Sequence, residues 1–144
     1  MEDLFDQIDD LLFVFTDMLV GAVKCFIPID VLDDEQRHKL DSIEPMVMDY
    51  NALFPVLNGR LEPWGWTMKE FRIYYNRKLL REFFKGLKLG VTPPYVTFLI
   101  LIKITFHEMI HILFPNYDED KVYSLTDEWL NNFNWSVLQT RARI

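Results

Sequence analysis

Thr92-Pro93-Pro94-Tyr95-Val96-Thr97-Phe98-Leu99-Ile100-Leu101-Ile102-Lys103-Ile104-Thr105-Phe106-His107-Glu108-Met109-Ile110-His111 is the stretch around which the rest of this chain is read. Thr92 is a capping residue and proline suits the first helical position, so a helix is expected to begin here. Val96, the run from Phe98 to Ile102, Ile104 and Phe106 make it apolar on all sides, which places it in the middle of a domain. Its end, His107-Glu108-Met109-Ile110-His111, fits the pattern His-Glu-x-x-His. Residues four apart share a helix face, so both imidazoles can grip one Zn²⁺ while Glu108, one step round, works on a water held there. A histidine pair on a central helix must face a cavity or incur costly polar burial.

Pro115 ends this helix, and Asp118 begins another that carries Val122, Leu125, Trp129, Leu130 and Phe133. Two histidines do not complete a site, because a zinc hydrolase needs three protein ligands and an open position. A third histidine six residues on is excluded, since that position is Tyr117, and the one remaining histidine, His38, falls in a distant helix. If the two helices form an antiparallel hairpin about Pro115, His111 opposes Glu119 and His107 opposes Tyr123. Glu119 is therefore the expected third ligand. Asp120 points about 100° away round the helix, and Glu128 sits more than a turn below the metal. Asp118 and Asp120 suit a cap and a first turn favoured by the helix dipole.

The pentapeptide His107 to His111, followed by a helix bearing Glu119-x-x-Val122, resembles the gluzincin metallopeptidases, and the short link and small size look most like the minigluzincins. The resemblance covers about residues 92–133. It implies zinc held by His107, His111 and Glu119, with Glu108 as general base. Two positions depart from the pattern. Tyr123 stands where many relatives carry an acid four residues after the ligand, and Val122 is bulkier than the usual alanine. The hydrogen bond that orients His107 would then fall to the Tyr123 hydroxyl.

Before the active-site helix, residues 78–89 read as a helix with Leu79, Leu80, Phe83, Phe84 and Leu87 on one side and Gly90 as its stop. Residues 55–76 lack a helical period: Asn58-Gly59 is a hairpin turn, and Phe71 to Tyr75 is the best strand candidate, in a sheet of two or three strands. The N-terminal part reads as helical. Leu4, Phe5, Ile8, Leu11, Leu12, Phe15, Leu19 and Val23 recur at helical spacing from Glu2 to about Phe26, and Pro28 closes that helix. Asp33 or Asp34 caps a second helix running past Leu40 and Ile43, which Pro45 kinks and whose second half reaches Phe54. The expected fold is α+β and mostly helical, a single domain over 1–144 in three parts: 1–54, 55–76 and 77–144.

With 144 residues and half of them hydrophobic, the chain supports one core and not two ordinary ones. Twelve Phe, six Tyr and four Trp argue for burial or an interaction face and against disorder. A net charge of -7, with scattered lysines and arginines, argues against a nucleic-acid partner. The longest apolar run, Tyr95 to Phe106, contains Lys103 and is shorter than the roughly 20 residues of a membrane span. A lone Cys25 and an acidic N-terminus point to the cytoplasm.

The expected function is hydrolysis of a peptide or protein substrate with Zn²⁺ as cofactor. Such a substrate would bind extended along the Phe71 to Tyr75 strand, with Tyr74, Tyr75 or Tyr123 stabilising the oxyanion. The alternative is a protein-interaction module, zinc-binding or metal-free, keeping a degenerate pentapeptide and contacting its partner through the Trp64-Gly65-Trp66 loop or the tail from Trp129 to Arg143.

Overall fold

A computed structural model describes residues 4–54, 62–68, 71–91 and 94–142. The Asn58-Gly59 turn and the Thr92-Pro93 helix start lie outside these residues. Helix α1 (Leu4–Lys24) is closed by the turn that leads to Pro28, and a single 3₁₀ turn (Ile29–Val31) follows. Helix α2 (Asp34–Ser42) starts from a reciprocal cap: Asp33 Oδ1 accepts from the Gln36 backbone N–H, and the Asp33 N–H donates to Gln36 Oε1.

The expected continuation of α2 through Pro45 to Phe54 does not occur. Residues Glu44–Met48 form strand β1, followed by a 3₁₀ turn (Tyr50–Ala52). Pro45 disfavours helical geometry at the residue before it, and a proline in a strand is tolerated at a sheet edge. Strand β1 is such an edge. With β2 (Gly65–Thr67) and β3 (Arg72–Asn76) it makes a sheet in the order β1-β3-β2. It runs parallel to β3, Glu44 opposite Arg72 and Met48 opposite Asn76. The β2 strand runs antiparallel, with Gly65 opposite Tyr75 and Thr67 opposite Ile73. Phe71 to Tyr75, expected as the peptide-binding edge, is thus in the centre of the sheet, where both its edges are used.

Chain direction passes from β3 straight into α3 (Arg77–Leu89), which Gly90 ends in the left-handed region at φ 72°. Helix α4 (Pro94–Leu113) is central over its second part only: Leu101, Ile102, Thr105, Phe106, Met109, Ile110 and Leu113 are buried, while Tyr95, Phe98 and Ile100 are exposed. Helix α5 (Glu119–Ala142) packs back along α4 through Val122 and Trp129, with Phe106 edge-on to Phe133. The core joins these residues to Leu12, Leu19 and Val23 of α1 and to Ile73 and Tyr75 of β3. Thr105 donates to the Leu101 carbonyl, so its oxygen accepts from the Tyr75 hydroxyl at 2.6 Å, tying sheet to helix. Among the described residues no helix is long and apolar enough to cross a membrane.

Candidate metal centre

The face of α4 that carries Phe106, Met109 and Ile110 is anchored in the core, and this sets the rotation of the helix. His107, Glu108 and His111 consequently emerge half-buried at its margin. Five residues, 114–118, turn the chain back. Phe114 stacks on Tyr117 with ring centroids 4.7 Å apart, and Asp118 caps α5 by accepting from the Lys121 N–H at 2.8 Å. Glu119, the first residue of α5, is thereby held across from the histidines.

His107 Nε2 lies 3.1 Å from His111 Nε2, His111 Nε2 lies 2.9 Å from Glu119 Oε1, and His107 Nε2 lies 3.5 Å from Glu119 Oε2. A tetrahedral ion bound at about 2.0–2.1 Å separates its nitrogen and oxygen ligands by about 3.3 Å. The three groups fit one face of that tetrahedron, in a donor set of two imidazoles and one carboxylate suited to zinc. Asp120 and Glu128 take no part, in line with the hairpin register. Burial, reinforced by the neighbouring His111, holds His107 below its ordinary pKa against the pull of Glu119, which favours the neutral imidazole that a ligand requires.

Glu108 stands beside the triad. Burial pushes its pKa up to about 7, the hydrogen bond to Thr67 works the other way, and the charge of Glu119 adds to the rise. Thr67 belongs to β2, and Gly65 explains how that strand comes so near: a Cβ at Gly65 would sit 2.9 Å from Ile104 Cγ2 and 3.0 Å from the Tyr74 carbonyl. Gly65 and Thr67 share a strand face, while Ile104 and Glu108 are one helical turn apart. A two-residue strand step of about 6.6 Å nearly matches a four-residue helix rise of about 6 Å, so the strand tracks the helix. Neither Gly65 nor Thr67 carries a sequence signal for this role, because β3, α3 and the first part of α4 separate them from the motif along the chain.

The tyrosines separate. Tyr75 is buried with its hydroxyl bonded to Thr105, and burial raises its pKa further. Tyr74 is buried and stacks on Trp66. Tyr123 alone of the three is exposed at the site, its ring 4.6 Å from that of His107. The two rings meet at a tilt of 48°, and among the described residues His107 Nδ1 is buried without a hydrogen-bond partner, so Tyr123 does not supply the hydrogen bond expected of it. No protein-family model, curated protein or solved structure matches the chain.

Proposed function

We propose that this chain is a zinc-dependent peptidase of gluzincin type, acting in the cytoplasm on peptide or protein substrates. The observation that carries the reading is the His107–His111–Glu119 triangle, at ligand spacing, with the half-buried Glu108 carboxyl next to it. Zinc bound by these three groups lowers the pKa of water toward neutrality and polarises a carbonyl. Glu108, poised near neutral pH, accepts the proton from water and returns it to the leaving amine. Thr67 holds the Glu108 carboxyl in one orientation from the neighbouring strand.

The sheet order supports one place for the substrate. Among the described residues strand β2 is an edge that pairs with β3 on one side only and runs beside α4, which supports an extended peptide adding to its other side. That edge replaces Phe71 to Tyr75 in the reading. Tyr123 is the tyrosine positioned to approach an oxyanion.

The separations in the triad also suit hydrogen bonds between imidazole and carboxylate, which makes metal content the deciding measurement. Purified protein is expected to hold about one zinc per chain. His107→Ala and Glu119→Gln should lose it; Glu108→Gln should keep it and lower hydrolysis of a general peptide substrate by about a hundredfold or more. Wild-type protein that takes up no zinc ends the proposal. The partnerless His107 Nδ1 favours a second reading, a zinc-binding interaction module without catalysis. Zinc retained by wild type and Glu108→Gln, both inert toward peptides, is the result that selects it.

A further inference from the structure

Helix α1 is apolar on two faces. Leu12, Leu19 and Val23 enter the core, yet Leu11, Val14 and Met18 are 56%, 55% and 69% exposed, and Gly21 and, in the turn just past the helix end, Cys25 continue their line. These five positions are spaced alternately three and four residues apart, the period of a seam that packs against another helix. Next to the seam lies an apolar hollow of about 160 Å³, lined by Phe15, Met18 and Ala22 of α1 and by Phe98 of α4. Exposed apolar surface of this extent on a helix already anchored to the core marks a docking face.

Its residues say what docks. The seam is bulky at one end, with Leu11 and Val14, and small at the other, with Gly21 and Cys25; a Cβ added at Gly21 would meet nothing within 4 Å. A second α1 laid antiparallel sets Leu11 over the partner's Gly21 and Val14 against the partner's Met18, and the two-fold axis repeats both. A parallel pairing instead crowds bulk against bulk and leaves the small ends apart. Charge agrees with the antiparallel choice. The flank beside the seam carries Asp10, Asp17 and then Lys24, which also reaches the Asp41 carbonyl of its own chain at 3.4 Å; antiparallel pairing brings Asp10 of each copy near Lys24 of the other and sets only Asp17 against its own copy at the two-fold axis, whereas a parallel pairing sets all three against like charges. The two acids also oppose an anionic lipid surface.

We propose that α1 is a self-association helix, through which two copies of this chain pair antiparallel with Leu11 seated on the partner's Gly21. The inference is independent of the zinc reading. Sedimentation equilibrium of the full chain should give twice the 17.3 kDa chain mass at micromolar concentration. Met18→Glu should weaken the dimer at least tenfold while circular dichroism and Tm stay near wild type, because most of the side chain is already in solvent. Gly21→Leu is the sharper variant: it adds apolar surface, yet by filling the notch it should also yield monomer. Asp10→Lys should weaken pairing about tenfold, and Asp10→Lys combined with Lys24→Asp should restore it. Three outcomes overturn the proposal: a wild-type monomer at 100 µM, a dimer tightened by Gly21→Leu, or a monomer that instead binds phosphatidylcholine vesicles.

Discussion

Glu108 shows what a single residue contributes and costs. Its carboxyl is raised to about 7, mainly by burial, from an ordinary value of 4.5. The folded state therefore holds the proton more tightly than the unfolded chain. Stability from this group is fully present below about pH 4.5 and is lost as pH rises to about 7. In the presence of a chelator, Glu108→Gln should be more stable than wild type at pH 8, on the order of 2–3 kcal/mol, with the gap closing near pH 4. Urea titrations at the two pH values measure it; equal stabilities at pH 8 would show that the carboxyl is not buried as described. His107, Glu108, His111 and Glu119 were all legible in the sequence, because helical spacing and a short link fix their relative places. Thr67 was not: it lies 41 positions before Glu108, and only the close approach at Gly65 brings it there.

Among the elements, α1 and α3 are joined by a bidentate ion pair, Arg81 Nε to Asp9 Oδ1 at 2.8 Å and Nη2 to Oδ2 at 2.6 Å. The Arg81 hydrogen bonds, more than offsetting partial burial and helped by the charges of Arg81 and Arg77, hold the Asp9 carboxyl below its ordinary value. The stability it lends is thus present above about pH 3.8 and is lost as pH falls through the lower folded value. Asp9→Asn should cost about 1 kcal/mol at pH 7, a figure discounted for solvent screening at a partly exposed pair, and progressively less as pH falls below about 3.8. A constant penalty across that range would assign the effect to packing instead. Element type was readable wherever a period was long, as in α1, α3, α4 and α5. Residues 44–48 defeated it: Glu-Pro-Met-Val-Met has neither a helical nor an alternating pattern, and its strand character comes from pairing with β3, 28 residues further on.

For the whole molecule, the candidate site joins the last turns of α4 to the first turn of α5, so a bound ion would clamp the pair of helices that hold the core together. Ligand at about a hundredfold over its Kd stabilises a fold by about 2.7 kcal/mol, which for a chain of this size is a rise in Tm of about 5–10 °C. Zinc should produce that rise in wild type and Glu108→Gln but not in Glu119→Gln; scanning calorimetry reads it, and equal rises in all three would place zinc elsewhere. The sequence by itself determined helices α1, α3, α4 and α5, the mostly helical α+β class and which carboxylate faces the histidines, because each depends on residues close together along the chain. Tertiary structure alone decided that Phe71 to Tyr75 lies inside the sheet, that β2 borders the motif helix, that Tyr75 is buried while Tyr123 is not, and that α1 keeps an uncovered apolar face. Those are consequences of which distant surfaces meet, and a local pattern records only that a surface is apolar, not what will cover it.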